Sequence, residues 1–346
     1  MVLICYGTRP EIIKLSPVIN ACRKENLPFK TLFTGQHLNL FNDVKDLIPK
    51  PDFFIQPAEK TPNLNFIVGS ILLRFDEIFS NLTWKMVLVQ GDTATVLACA
   101  LAAFNNRIPV GHIEAGLRTG DLGSPFPEEG YRQMVSRIAT LNFAPTTTAA
   151  QNLANEGINN NVVVTGNTIV DACMSFQYPI FHGRHVLITM HRRENFGIKM
   201  SGILEQLEDL AGNHPELDFI FPMHPNPEVH KHRHLLQKVR VIDPLNYHDF
   251  IKLLCSARFV ISDSGGIQEE CATFQKKVLV CRDKTERHEG VDSGFARLTG
   301  DNIRDHFDWA NRDPEWSGIN PYGDGHAAER IIKTIKEYLG NEPCDQ

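Results

Sequence analysis

Short apolar runs rich in β-branched residues recur along the chain, each ending in small or charged residues and leading into a stretch of helical periodicity. In the first half Val2–Tyr6 leads into Glu11–Arg23, Met86–Val89 into Thr93–Phe104, and Val162–Val164 runs to Gly166-Asn167-Thr168. In the second half the runs are Val186–Thr189, Phe219–Pro222, Phe259–Ile261 followed by Gln268–Phe274, and Val278–Val280. Strands alternating with helical crossovers are the mark of a parallel sheet, so the pattern predicts an α/β fold in which each half carries its own sheet.

A length of 346 residues exceeds what one hydrophobic core usually supports and predicts two domains. The seam is placed at Asp171–His185, where Pro179 and Gly183 interrupt the helical pattern just before the fresh strand at Val186. A last helix, about Gly325–Leu339, follows the turn Asn320-Pro321-Tyr322-Gly323-Asp324-Gly325. Hydrophobic residues at 42% and charged residues at 22% give a globular balance, and no apolar run is long enough to cross a bilayer. The N-terminus reads as a strand rather than a secretory signal, so a cytoplasmic, membrane-free protein is expected.

A net charge of -6 argues against a nucleic-acid partner, which needs a basic surface. The eight cysteines, Cys344 among them, are scattered without metal-ligand spacing and read as reduced thiols. The stretch His230-Lys231-His232-Arg233-His234 has a metal-like look, but its alternation with basic residues favours a solvated face, and no metal is expected.

Candidate chemistry lies where predicted strands end. Ser264-Gly265-Gly266 opens a helix after Phe259–Ile261, converging N–H groups and the helix dipole on a spot suited to phosphate, with Glu270 placed for ribose hydroxyls; an ordinary capped turn is the alternative. Arg9 and Lys14 follow the first strand and supply cations for a pyrophosphate, unless both are surface charges. Asp92 and Glu114 close neighbouring strand units, with Glu128 nearby, so crowded carboxylates there would supply an acid and a base; Asp92 taken alone reads rather as a helix N-cap. His191 sits where a strand becomes loop, and Arg287 lies in a charged segment after Val278–Val280.

In this order the stretches GTRPEIIKLSPV, TGQH, QGDTATVLA, IPVGHIEAGLRTGD, SPFPEE, VTGNTIVDA, HRRENFG, ISDSGGIQEE, RDKTERHEG and NPYGDG closely resemble the non-hydrolysing UDP-N-acetylglucosamine 2-epimerases over residues 7 to 325. The resemblance implies a GT-B-like architecture, two Rossmann-like domains with parallel sheets facing a central cleft: residues 1–170, then a UDP-binding domain at 171–325, with a C-terminal helix at about 326–346 packing back on the first. It implies reversible inversion at C2 between UDP-GlcNAc and UDP-ManNAc, no cofactor, and a homodimer. Carried over by motif position, Arg9, Lys14, His191, Ser264, Gly265, Gly266, Glu270 and Arg287 hold UDP, and Phe250 stands near the uracil. Asp92, Glu114, Glu128 and His191 are the residues whose loss stops catalysis.

The chemistry agrees. The C2 hydrogen lies beside an anomeric carbon and an amide nitrogen, so it must first be made acidic, and the nicotinamide fingerprint that transient oxidation would need is missing. Departure of UDP to a 2-acetamidoglucal serves instead. Gln36, Glu128, Arg192 and His224 match positions lining the family's allosteric site for a second UDP-GlcNAc. Asn39 stands where a glutamine is usual and Ser70 where an arginine is usual, so weak or absent activation is expected. Met190 for a glycine and His288 for a proline are further departures. Rival readings are a 2-epimerase of a UDP-diacetamido uronic acid, a hydrolysing epimerase, and a GT-B glycosyltransferase.

Overall fold

The structure, a computed structural model, describes residues 1–36, 44, 47–55, 63–79, 82–313, 315 and 318–341. Asn39 and Cys344 therefore lie outside the described residues. The chain forms two compact units, one of Met1–Ala172 with the described segment from Gly323 onward, the other of Cys173–Tyr322.

Among the described residues, the sheet of the first unit contains β1 (Val2–Tyr6), β2 (Phe29–Phe33), β3 (Phe53–Phe54), β4 (Met86–Gln90), β5 (Val110–Ile113), β6 (Leu141–Ala144) and β7 (Val162–Val164). All pair in parallel, in the order β3-β2-β1-β4-β5-β6-β7. Every residue of β1 and β4 is buried, because helices cover both faces of the sheet. Leu3, Cys5, Val87 and Val89 share one core with Phe75 of the helix Leu64–Phe79 and with Val96, Cys99 and Ala103 of the helix Ala94–Asn105. Order reverses between β1 and β4, which separates the loops at their carboxyl ends and leaves a crevice.

The helix Ala327–Asn341 belongs to this unit. Asp171 caps its start by accepting the N–H groups of Ala327 (3.2 Å) and Ala328 (2.9 Å), and Ile331, Ile332 and Ile335 are buried on its inner face. Its first turn comes two residues later than the sequence pattern predicts, after Asp324 and Gly325, with the Asp324 carboxylate accepting both outer nitrogens of Arg330 at 2.7 and 2.6 Å.

The second unit repeats the plan. β8 (His185–Thr189), β9 (Asp218–Pro222), β10 (Arg240–Ile242), β11 (Phe259–Ser262), β12 (Val278–Val280) and β13 (Ala296–Leu298) form a parallel sheet in the order β10-β9-β8-β11-β12-β13, reversing between β8 and β11. One face packs on the helix Ile198–Asn213 through Met200, Ile203, Leu204 and Leu207, against Val186, Ile188, Phe219 and Phe221. The strands β2, β3, β6, β10 and β13 go beyond those read from the sequence. Of these, β3 has two residues, too short for any periodicity, and β10 has three, beginning on an exposed arginine.

Candidate active site

In the first unit the loops after β1 and β4 meet the crevice of the strand reversal. Gly7 sits so close to its neighbours that a Cβ there would lie 2.2 Å from both Thr34 Oγ1 and Thr95 Oγ1. Glu11, in the first turn of the helix Arg9–Lys24, folds back to accept the N–H groups of Gly7 (2.6 Å) and Thr8 (3.3 Å), while the Thr93 hydroxyl donates to its other oxygen at 2.5 Å. One carboxyl thus ties the two loops together. Burial pushes its pKa up to about 7, against the pull of those donors.

One turn further along the same helix, buried Lys14 donates to Glu114 Oε1, so the surface-charge reading of Lys14 fails. Gln90 donates to Glu114 Oε2, and Asn167 Nδ2 reaches Oε1 at 3.4 Å. Glu114 itself has φ +69, a left-handed conformation that costs a residue with a Cβ on the order of 1 kcal/mol and is held by this set of partners. Gln36 accepts from the Thr95 N–H and hydroxyl at 3.1 and 2.8 Å, beside the Gly7 turn.

Asp92 does not cap the following helix. Thr93 does, accepting the Val96 N–H at 3.3 Å. Asp92 instead accepts from Arg132 at 2.5 Å, and the preceding Gly91 carbonyl takes a hydrogen bond from His112 Nε2 at 2.8 Å. Burial pushes His112 down to about 4, so it stays neutral and donates through Nε2. Arg132 lies one turn into the helix Glu128–Ile138, whose first residue is the candidate Glu128, half-buried at the helix start. Glu114 and Asp92 each have their own cation.

In the second unit the loops after β8 and β11 carry the other candidates. Buried Asp263 accepts the N–H groups of His191 (3.1 Å) and Arg192 (2.9 Å) and the Asn195 amide (3.1 Å), and its carboxylate lies 3.7 Å from His191 Nδ1. Desolvation at the strand end lowers the His191 pKa, with Asp263 opposing it. The rings of His191 and His224 stack with centroids 5.5 Å apart.

Because Asp263 is turned toward the His191 loop and the Ser264 side chain makes no capping hydrogen bond, the capped-turn alternative fails for the helix Gly265–Thr273. Arg287 reaches this turn: a Cβ on Gly265 would lie 2.5 Å from its Nη1. The guanidinium pairs with Glu269 at 2.7 Å and with Glu286, which hold it beside the turn. Glu270 accepts from Tyr247 at 2.9 Å, and half-buried Phe250 lies on the helix Tyr247–Cys255 before β11.

Within the first unit the structure brings together Lys14 and Glu114, and links Asp92 through Arg132 to the helix of Glu128. Within the second it gathers His191, Arg192 and His224 about Asp263, and Arg287 about Gly265. Half-buried Arg9 opens its helix beside Thr8. Ser70 donates to the Ile67 carbonyl at 3.0 Å within its own helix. Sequence reading missed Glu11, Gln90, Arg132, Asn167 and Asp263 as partners; of these, Asp263 had a signal, an acid ending a buried strand. Among the described residues, no group of histidine, cysteine or acidic residues could hold a metal, and no helix is long and apolar enough to cross a membrane.

The sequence matches the UDP-N-acetylglucosamine 2-epimerase family over residues 20–336. A probable UDP-N-acetylglucosamine 2-epimerase of Ralstonia nicotianae is 39% identical over 98% of this chain and 99% of its own. The Bacillus subtilis UDP-N-acetylglucosamine 2-epimerase is 38% identical over 98% of this chain and 96% of its own. The crystal structure of UDP-GlcNAc 2-epimerase from Neisseria meningitidis bound to UDP-GlcNAc matches with a TM-score of 0.90 and 36% identity, covering 97% of this chain and 99% of that one. Such a match takes in both units and bears out the GT-B-like α/β class. The chain therefore belongs to the UDP-N-acetylglucosamine 2-epimerase family.

Proposed function

We propose that this protein interconverts UDP-GlcNAc and UDP-ManNAc by eliminating and re-adding UDP. The observation that carries the reading is the buried Lys14–Glu114 pair, which joins the helix after β1 to the end of β5. A buried ion pair stabilises a fold little or not at all relative to packed apolar residues, so its presence points to chemistry.

In this reading the C1–O bond breaks with its electrons leaving on UDP, a carboxylate takes the C2 proton, and the C2–H electrons form the C1=C2 bond of a 2-acetamidoglucal. Arg9, Lys14, His191, Arg287 and the Ser264–Gly266 turn stabilise the departing diphosphate, each well-placed donor contributing about 2.7–4 kcal/mol of barrier lowering in comparable sites. Glu270 takes the ribose hydroxyls and Phe250 lies beside the uracil. Asp92, Glu114 and Glu128 supply the proton acceptor and the donor that protonates C2 on the opposite face, after which UDP re-forms its bond to C1. Hydrogen leaves and returns as a proton, so no external oxidant is needed. We further propose a cytoplasmic homodimer that supplies activated ManNAc for surface polysaccharide, with weak activation by UDP-GlcNAc because Ser70 cannot supply the charge of an arginine.

Proton NMR of the purified protein with UDP-GlcNAc in D2O tests this. UDP-ManNAc carrying deuterium at C2 is the expected product. Product that keeps its C2 protium refutes elimination, and free UDP accumulating in step with ManNAc indicates hydrolysis instead.

A further inference from the structure

Asp92 and Glu114 are held differently. Both oxygens of Glu114 are engaged, by Lys14 and Asn167 on one side and Gln90 on the other. Asp92 is gripped through Oδ2 alone, by Arg132, and among the described residues no other hydrogen bond or ion pair reaches its carboxylate, while 28% of the side chain stays accessible. An oxygen left open on a fixed carboxylate is what proton transfer to a ligand requires.

Arg132 is itself built in. Only 4% of its side chain is exposed, and Nη1 lies 3.3 Å from fully buried Glu129, which accepts the Thr119 and Gly120 N–H groups at 3.1 and 3.2 Å. Burying a guanidinium between two carboxylates gains little stability over an apolar residue, so a purely structural purpose explains it poorly. With Nη1 facing Glu129 and Nη2 on Asp92 Oδ2, the rigid guanidinium is itself held on one side and fixes one oxygen of Asp92 on the other, which a flexible ammonium does less well. His112 pins the Gly91 carbonyl of the same turn, so backbone and side chain are each held by a buried group.

We propose that Arg132 is the positioning residue that sets the Asp92 carboxylate for proton transfer. Because Arg132 stands one turn after Glu128 on the same helix, it also ties Asp92 to the helix of Glu128, two of the three carboxylates proposed for proton transfer. The assignment rests on the reading of the protein as an epimerase.

The test is a set of variants of the full chain, R132M, R132K, D92N, D92N/R132M and E129Q/R132M, assayed for kcat, KM and Tm with UDP-GlcNAc. Misplacing Asp92 by about 1 Å makes R132M about 100-fold lower in kcat with KM within about threefold, and R132K recovers part of that loss. With Asp92 already disabled Arg132 has nothing left to position, so D92N/R132M is no slower than D92N. E129Q/R132M removes the orphaned buried acid, regains Tm and stays as slow as R132M. Loss in the double variant equal to the product of the single losses, or recovery of kcat along with Tm in E129Q/R132M, overturns the assignment while leaving the epimerase reading intact. A wild-type chain that converts no UDP-GlcNAc overturns both.

Discussion

Replacing Glu11 by glutamine tests whether burial or hydrogen bonding governs the carboxyl that joins the β1 and β4 loops. Glu11 is buried, and its desolvation outweighs the donors Gly7 N–H, Thr8 N–H and Thr93 Oγ1–H, raising the pKa from the ordinary 4.5 to about 7. A carboxyl whose folded pKa lies above its unfolded one binds its proton more tightly when folded. Stability therefore falls as pH rises from about 4.5 and levels off above about 7, a loss of about 3 kcal/mol. Glutamine reproduces the protonated form: its oxygen accepts from Gly7 and Thr8 while its NH2 donates to Thr93 Oγ1, whose hydroxyl rotates away. E11Q should match the wild type at pH 4 and exceed it by up to about 3 kcal/mol at pH 8, or roughly 6–12 °C in the Tm of a unit this size. Urea and thermal unfolding at both pH values measure it. Parallel stability curves for the two proteins, or a variant less stable at pH 8, would mean that the donors hold Glu11 ionised and that the reasoning from burial is wrong.

Two further outcomes concern the second unit. In D263N the asparagine oxygen keeps the Arg192 and Asn195 donors, but the charge that supports the imidazolium of His191 is gone, leaving Arg192 and His224 to oppose it. The pH at which calorimetric UDP affinity declines should move down, since a His191 pKa already lowered by burial falls further; superimposable profiles would show that His191 does not bind the diphosphate as a cation. In G265A the new methyl meets Arg287 Nη1 at 2.5 Å and Cζ at 3.0 Å, and pairing with Glu269 and Glu286 keeps that side chain from yielding easily. UDP affinity should weaken by about tenfold, in line with 1–2 kcal/mol of overpacking strain, with Tm lowered modestly; unchanged affinity would remove the Gly265 turn from the binding surface.

The sheets were legible because a parallel strand buried on both faces is written as an uninterrupted apolar run, and Val2–Tyr6, Met86–Gln90 and Phe259–Ser262 are such runs. Where burial is incomplete the signal fades. β10, Arg240–Ile242, begins on an exposed arginine and has three residues, so nothing in its neighbourhood separates it from a loop. The start of the helix Arg9–Lys24 was misjudged by two residues for a different reason, since Arg9 and Pro10 are helical because Glu11 reaches back to Gly7 and Thr8, an event of geometry that apolar spacing does not record.

What sequence reading could not supply was which charges meet. Asp92 finds Arg132 across 40 positions, Lys14 finds Glu114 across 100, and Asp263 reaches the His191 and Arg192 amides across more than 70. Each of these partners lies at the carboxyl end of a strand or in the first turns of the helix that follows a strand end, so the topology converges them once strand order is known. The individual residues give no sign of it. For Lys14 a surface charge stays open as an alternative on sequence alone, because lysine is mostly exposed, and neither Leu15 nor Ser16 hints that the ammonium turns inward. The distinction between the singly held Asp92 and the fully engaged Glu114 is likewise a property of the reversal in strand order. It sets β4 beside β1 and β5 next to β4, so the helix Arg9–Lys24 meets Thr93 after β4 through Glu11 and Glu114 after β5 through Lys14, while Asp92 is held from the helix Glu128–Ile138.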